Sequence, residues 1–330
     1  MKNVRQFIGA DLAKKTIDLC CHSTKSSIHI GNSPAGFKQL LGWLTQQQID
    51  PHQSLIVMEH TGLYGWGFER FLHEHKIAFV KVNALAIKRS MGLVRGKTDQ
   101  LDAARIACYG YRNQDSLRQQ PVTGESIERL GLLQNTRQRL VKHRSALICA
   151  IEEYNNIHIA AKDLLIQSQQ KVIKVMDSQI EKLELEINDL IHSSEELNGN
   201  FKLLTGIKGV GPVVAVAMLV KTHNFIRFDN ARQFACYCGT APFEHSSGTS
   251  IRGKTRVSHL ADKSMKTLLD LAAKAAIQHD PEIKAFYLRR TEKGKPKMST
   301  INIVRNKLLF RMFAVIKRQT PFIPDYLKAA

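Results

Sequence analysis

Residues 6–30, QFIGADLAKKTIDLCCHSTKSSIHI, contain three short apolar runs separated by polar turns. The runs are 6–10, 16–22 and 26–30, and each has the length and residue types of a β-strand. Because only a few residues connect one run to the next, consecutive strands must form hairpins and pair antiparallel. This stretch therefore predicts the first three strands of a sheet.

The segments that follow alternate between helix and strand signals. Helices are predicted over residues 34–48, 64–75 and 84–91, and the strands between them over 55–58 and 78–82. The resulting order, β-β-β-α-β-α-β-α, is that of the ribonuclease H-like fold, an α/β domain with a mixed sheet. In that fold the first and fourth strands are parallel neighbours at the sheet centre, so their carboxyl ends meet.

Four carboxylates are predicted to lie at that edge. Asp11 ends the first strand and Glu59 the fourth, while Asp99 and Asp102 are three residues apart on a helix predicted from its N-cap, Thr98, to about residue 111. Like charges held this close repel unless a cation lies between them. Hard oxygen ligands suit Mg²⁺ or Mn²⁺, and four acids could hold two ions about 3.5–4 Å apart. A solvated helix face, a turn and a cap are the structural alternatives for these acids.

The overall charge indicates a polyanionic partner. The chain has 330 residues, a formal net charge of +19 and a pI near 9.8. Such a balance favours nucleic acid. Between residues 244 and 318 there are 17 Lys and Arg against 6 Asp and Glu, which concentrates the positive charge near the C-terminus.

The cysteines and the apolar runs indicate a reduced cytoplasmic protein without a membrane segment. Six cysteines show no disulfide-framework or zinc spacing. No signal-peptide pattern opens the sequence, and the longest apolar run, 213–220, is too short to span a bilayer.

Residues 116–200 are predicted to be a helical linker with coiled-coil character. Two series of apolar residues recur at heptad or 3-4 spacing. The series are Leu133, Leu140, Leu147 and Tyr154, and Ile173, Met176, Ile180, Leu183, Ile187 and Leu190. Arg137 and Arg144 interrupt the first series, which suits a partner surface. The pattern is compatible with a hairpin inside one chain or with pairing between subunits.

Residues 201–330 are predicted to form a compact basic domain, after a first domain at 1–115. The turn TGIKGVGP at 205–212 resembles a helix-hairpin-helix turn that would approach a DNA phosphate near Lys208, although a tight turn without a ligand has the same pattern. A loop at 239–254 is rich in hydroxyl, glycine and basic residues. A late amphipathic helix carries Arg305, Lys307 and Arg311 opposite its apolar face, which fits solvation or phosphate contacts.

These residues resemble the RuvC-like DEDD transposases of bacterial insertion sequences, the bridge-RNA-guided recombinases, whose relatives include Piv-type DNA invertases. The resemblance covers essentially the full length. The matching motifs are IGAD at 8–11, MEHTG at 58–62, KTDQLDA at 97–103, GIKGVG at 206–211 and PFEHSSG at 242–248.

The resemblance implies a RuvC-like metal-binding domain, a coiled coil and a mainly α-helical C-terminal transposase domain. It implies that Asp11, Glu59, Asp99 and Asp102 bind metal and that a serine before a glycine is the nucleophile. Two adjacent serines fit this position, and Ser247, directly before the glycine, is favoured over Ser246.

The nucleophile would attack DNA and become joined to one strand end, and reversal of that attack on a second duplex would exchange strands without ATP. The basic residues nearest to the serines, Arg252, Lys254 and Arg256, are predicted to contact donor and target double-stranded DNA. The resemblance also implies a noncoding bridge RNA and a homo-oligomer of two to four subunits, associated with the bacterial nucleoid. A hydrolytic junction nuclease, a Piv-type invertase and a non-enzymatic DNA-binding protein are the rival interpretations.

Overall fold

The structure is a computed structural model that describes residues 4–92, 96, 98–118, 124–247 and 251–323. The side chains at 245–247, 251, 252 and 254 lie outside this description, as does the predicted motif residue Lys97. The chain divides into two compact units, Met1–Val122 and Thr123–Ala330. Each unit is described separately below.

The first unit contains a mixed five-stranded sheet in the order β3-β2-β1-β4-β5, with β1 in the centre. β1 pairs antiparallel with β2 and parallel with β4. The predicted element order is confirmed, with shifts of one or two residues at most boundaries. The strands are β1 (Gln6–Leu12), β2 (Thr16–Cys21), β3 (Ser27–Gly31), β4 (Ser54–Glu59) and β5 (Ala78–Val82).

Helices cover both faces of this sheet. The helices are α1 (Pro34–Gln46), α2 (Trp66–Glu74), α3 (Ala84–Ser90) and α4 (Asp99–Arg112). The larger apolar core lies between the sheet and α1 and α2, and a smaller one lies under α3 and α4. The helix predicted over 64–75 begins two residues later, because Gly62–Gly65 forms a 3-10 turn whose first residue, Gly62, has a left-handed conformation.

The second unit is mainly helical. Its helices are α5 (Glu125–Asn156), α6 (Leu164–His192), α7 (Glu195–Thr205), α8 (Pro212–Thr222), α9 (Ala231–Tyr237), α10 (Lys263–His279), α11 (Pro281–Glu292) and α12 (Lys297–Arg318). A hairpin of β6 (Pro242–Ser247) and β7 (Ile251–Val257) lies between α9 and α10. The almost wholly apolar α8 lies in the centre of the core, which α10 and α12 help to build.

The two long helices α5 and α6 pair with each other inside the chain and run antiparallel. Arg137 pairs with Glu184 at 2.6 Å, and Arg144 lies beside Asp177 farther from the core. Near the core, Leu133 and Ile187 are buried, so the base of this helical hairpin belongs to the second unit. The arginines that interrupt the apolar series therefore face acids on α6. A separate domain at 116–200 stays a prediction.

Among the residues described here, no helix combines the length and apolarity required to cross a bilayer. All six cysteines are free thiols.

Candidate active site

Helix α4 rests directly on the backbone of the sheet because two glycines leave room for it. A Cβ atom on Gly9 of β1 would lie 2.0 Å from the carbonyl oxygen of Ala103 and 2.3 Å from the amide nitrogen of Ala107. A Cβ on Gly110 would lie 2.5 Å from a methyl carbon of Val57 on β4. Side chains at either position would push the helix outward. The close approach fixes where the first turn of α4 lies.

The central strands deliver two acids to one edge of the sheet. In the parallel pairing of β1 with β4, Ala10 lies opposite Met58. The next residues, Asp11 and Glu59, therefore leave the two strands side by side, at their carboxyl ends. Asp11 is half-buried. This is the arrangement that the order of the strands predicts.

The first turn of α4 supplies the other two acids. Thr98 caps the helix as predicted, since its hydroxyl accepts a hydrogen bond from the backbone N–H of Leu101 at 3.2 Å. Asp99 and Asp102 follow in the first turn. The helix dipole favours negative charge there without any metal, by about 0.3–1 kcal/mol per group.

The charges of the other three acids act on Asp11. Burial and the neighbouring carboxylates of Asp99, Asp102 and Glu59, together with that of Asp18, raise the pKa of Asp11 from 3.8 to about 6. Such a shift means that the negative form of Asp11 is disfavoured in this environment. A cation bound at this edge would relieve the disfavoured charge.

The acids suit a divalent cation by their chemistry, since carboxylate oxygens are the ligands that Mg²⁺ and Mn²⁺ prefer. Within the described parts of the chain, however, no three His, Cys, Asp or Glu side chains form a ready-made metal cluster. Asp102 instead accepts a hydrogen bond from Nη1 of Arg105 at 2.7 Å. The structure thus brings the four acids into one electrostatic environment, without forming a complete set of metal ligands.

Two charged residues at this edge were missed by the reasoning from sequence. Asp18 lies directly opposite Asp11 in the β1–β2 pairing, where cross-strand partners point to the same face, and it is buried beside the ring of His29 at 3.0 Å. Its signal was a single acid within the otherwise apolar second strand. Arg105 could have been found from its position one turn after Asp102, where helix geometry places it on the same face.

The two serines lie on a β-hairpin and not in the predicted loop. Ser247 is the last residue of β6 and pairs with Ile251, while Ser246 pairs with Arg252. The side chains of Ser246, Ser247, Arg252 and Lys254 are outside the described residues, so their predicted roles stay predictions. These strands could not be predicted, because the segment is largely polar and lacks the alternation of apolar and polar residues that indicates a strand.

The hairpin joins the helical core through buried hydrogen bonds. Thr240, just before β6, is fully buried, and its carbonyl oxygen accepts hydrogen bonds from the side-chain amides of Asn302 at 2.8 Å and Asn306 at 3.0 Å. After β7, Asp262 accepts a hydrogen bond from the hydroxyl of Tyr237, the last residue of α9, at 3.0 Å. Burial and this neighbouring carboxylate raise the pKa of Tyr237 to about 12. Both ends of the hairpin are therefore held in fixed positions.

The glycine turn between α7 and α8 has a structural explanation. Gly209 has a φ of 93°, and a Cβ there would lie 2.7 Å from the carbonyl oxygen of Ala272 on α10. This glycine is therefore required by its conformation and by packing. Lys208 beside it is exposed, so a phosphate contact from this turn stays a prediction.

The prediction that Arg305 of α12 contacts nucleic acid is wrong, because Arg305 is only 6% exposed and pairs with Asp270 on α10. Nearby, Nη1 of Arg311 contacts Asp280 at 2.6 Å with both side chains mostly buried. Lys307 lies over the ring of Phe286. An amphipathic pattern cannot distinguish these helix-to-helix contacts from a solvated basic face. Arg256 on β7 is exposed and remains a candidate for a phosphate contact.

Comparison with known proteins identifies related sequences along most of the chain. Residues 8–154 match the IS110-type DEDD transposase family, and residues 201–288 match the family described as Transposase IS116/IS110/IS902. The pilin gene-inverting protein of Moraxella bovis is 28% identical over 96% of this chain and 98% of its own length. The corresponding protein of Moraxella lacunata has the same identity and coverage.

An uncharacterised 43.6 kDa protein of the insertion element IS110 from Streptomyces coelicolor is 28% identical over 48% of this chain and 38% of its own length. The first family match contains the acid edge, and the second contains the glycine turn and the serine hairpin. Together the two matches span well over half of the sequence. The chain thus contains two transposase domains of the IS110 family and is a DNA recombinase or transposase.

Proposed function

We propose that this transposase cuts and rejoins DNA through a covalent serine ester, with Ser247 as the nucleophile. The oxygen of the serine hydroxyl would attack the scissile phosphorus. The bond from phosphorus to one deoxyribose oxygen would break, and that oxygen would take up the proton released by the serine. Attack by a deoxyribose hydroxyl of a second strand would reverse the step and release the serine. Each exchange conserves one phosphodiester-level bond, so neither water nor ATP is consumed.

The observation that carries this proposal is the acid edge in which Asp11 has a pKa raised to about 6 by its burial and by its acidic neighbours. A carboxylate whose pKa is raised by burial and by neighbouring acids marks a candidate functional site. Asp11, Glu59, Asp99 and Asp102 would hold Mg²⁺ or Mn²⁺. The cation would activate the serine and neutralise the charge that develops on the phosphate. A carboxylate edge alone would repel the DNA backbone.

The DNA contacts would come mainly from the second unit. Lys208 lies in the exposed glycine turn and Arg256 on the exposed side of the serine hairpin. Arg252 and Lys254 of the same strand are proposed as further contacts. Cationic side chains around a serine would both bind the DNA and favour the approach of the hydroxyl to a phosphate.

We further propose a RuvC-like fold for the first unit, a bridge RNA that selects donor and target, and assembly into a dimer or tetramer. The strand order and the parallel pairing of β1 with β4 support the fold. The helical hairpin of α5 and α6 supports assembly, because Val172 and Val175 on α6 are 46% and 62% exposed. Coiled-coil pairing between subunits would cover such residues.

Inversion is a second candidate outcome of the same chemistry. It is favoured by the similarity, along nearly the whole chain, to two proteins named for pilin gene inversion. Transposition and inversion both require cutting and rejoining, and they differ in the arrangement of the DNA ends. The assay for either is a recombination reporter with the sites in direct or inverted orientation.

A denaturation-resistant protein–DNA adduct tests the proposal. Purified protein is incubated with radiolabelled DNA from its element ends and with Mg²⁺, and is then denatured and separated by electrophoresis. We expect label to move with the protein for the native chain and for Ser246→Ala, but not for Ser247→Ala. Nicking without an adduct would support the hydrolytic nuclease instead.

A further inference from the structure

A cavity of about 450 Å³ opens beside the acid edge of the first unit. Its volume falls within the range of about 300–1,000 Å³ that is usual for sites that bind small organic groups. Its wall includes two of the four acids, Glu59 and Asp102. The other lining residues include the apolar side chains of Ile87, Met91 and Ile106, the cations Lys88 and Arg105, and Ala84.

The lining divides into an apolar part and a charged part. Ile87 from α3 and Ile106 from α4 are both buried, and Met91 lies beside them, so they form an apolar floor. Lys88 and Arg105 add two positive charges to the same wall as the acids. A flat apolar group attached to an anion would satisfy both parts of this lining.

The guanidinium group of Arg105 is held in place before any ligand arrives. Its Nη1 donates to Asp102 at 2.7 Å, and its Nη2 donates to the carbonyl oxygen of Gly96 at 2.8 Å. Two hydrogen bonds fix the plane of the group, which reduces the loss of side-chain entropy when an anion binds. Arg105 thus connects the acid edge with the wall of the cavity.

We propose that this cavity binds one unstacked nucleotide of the DNA strand, next to the scissile phosphate. The base would lie on Ile87 and Met91, and the adjoining phosphate would contact Arg105 and Lys88. Enzymes that do chemistry on a base turn the nucleotide out of the helix into a pocket where apolar or aromatic side chains stack on the base, and sites for single strands add positive charge along the phosphates. Because the cavity shares Glu59 and Asp102 with the acid edge, this inference rests on the proposed function.

Methyl NMR of the full chain tests the proposal directly. Methionine methyl groups are labelled with ¹³C, the Met91 signal is assigned from Met91→Leu, and the probe is the 5′-phosphorylated dinucleotide pTpT in Mg²⁺ buffer. The Met91 signal should shift in a saturable manner. The signals of Met218 and Met265, which are buried in the other unit, should stay in place and serve as internal controls.

Three substitutions in the cavity and one control outside it separate the cavity from general binding. Ala84→Phe, at the exposed rim, should abolish the Met91 shift by filling the space. Arg105→Gln should weaken pTpT about tenfold or more, since a charged hydrogen bond is lost, and Lys88→Gln about threefold. Arg5→Gln, at the opposite end of β1, removes the same charge and should have no effect. A Met91 signal that does not move, or that moves equally in Ala84→Phe, would overturn the proposal.

The ribonucleotide pUpU provides the second arm of the experiment. Weaker binding of pUpU supports the assignment to DNA, and binding equal to or tighter than that of pTpT would reassign the cavity to an RNA strand and contradict it. The adduct assay is run on the same preparations. Adducts without a Met91 shift would refute the cavity alone, whereas a Met91 shift without adducts would refute the serine mechanism alone.

Discussion

Replacing Gly9 with alanine should separate α4 from the sheet and disrupt the acid edge. The added Cβ would lie 2.0 Å from the carbonyl oxygen of Ala103. Ordinary contacts of this kind begin at 3.4 Å, so the helix must move outward by about 1.4 Å. The obstacle is helix backbone, which cannot rotate away as a side chain can. Overpacking of this kind costs about 1–3 kcal/mol, and the rigid obstacle places Gly9→Ala near the upper end.

The functional loss should exceed the loss of stability. A cost near 3 kcal/mol lowers the melting temperature of a unit of this size by roughly 10 °C, and the folded state still predominates at 25 °C if the unit has an ordinary stability of about 5–15 kcal/mol. Misplacement of catalytic groups by about 1 Å can reduce the rate about 100-fold. Adduct formation is therefore measured at 25 °C, and the melting temperature by circular dichroism. The Asp11 pKa, followed by NMR, should fall toward its ordinary value as Asp99 and Asp102 move away.

Gly42→Ala is the matched control, because a Cβ at that helical position in α1 meets nothing within 4 Å. Alanine there should be neutral or should stabilise the unit by about 0.5–1 kcal/mol. If Gly9→Ala behaves like Gly42→Ala in stability and in adduct formation, the argument that close helix packing positions the acids is refuted.

Four further substitutions test the electrostatics. Because the pKa of Asp11 is raised from 3.8 to about 6, the folded chain holds a proton that the unfolded chain releases, so this group adds stability at low pH that is lost as the pH rises toward 6. Asp11→Asn should remove this pH-dependent loss of stability and therefore raise the melting temperature at pH 7, and it should also abolish adducts. A lower melting temperature of Asp11→Asn at pH 7 would argue against a raised pKa of Asp11. Arg305→Ala should cost roughly 1.5–3 kcal/mol, because Asp270 loses its buried partner and keeps only the more exposed Lys274, and should leave the salt dependence of DNA binding unchanged when measured on the folded fraction. Arg256→Ala, and separately Lys208→Ala, should each reduce the slope of log K against log salt by about 0.9; an unchanged slope would exclude that residue as a phosphate contact.

The sheet of the first unit could be predicted because local signals and short connections leave few alternatives. The brief links after β1 and β2 require hairpins, and once β1 and β4 are taken as neighbours, Asp11 and Glu59 must lie at the same edge. The serine hairpin was not predictable in this way, since β6 and β7 are polar and carry no alternation of apolar residues.

The charged contacts of α12 could not be predicted from the periodicity of its apolar residues. Arg305 lies on the face that the apolar pattern assigns to solvent, yet it is buried because α10 supplies Asp270. Which helix covers a polar face depends on tertiary packing, and no local pattern encodes that choice. Asp18 was missed for the opposite reason, because its position was readable but its partner Asp11 became visible only with the strand pairing. Arg105 needed no strand pairing, since its partner Asp102 lies one turn earlier on the same helix.

The central claim is that one serine of the hairpin forms the bond to DNA, and the most direct measurement is the mass of the denatured adduct. After nuclease digestion, peptide mass spectrometry should locate a nucleotide joined through its phosphate to Ser247. The adduct should be absent in Ser247→Ala and when Mg²⁺ is omitted. A modification on Ser246 would correct the residue and keep the mechanism. Recombination at the native rate by both Ser247→Ala and Ser246→Ala, with no adduct on any residue, would contradict the serine mechanism itself.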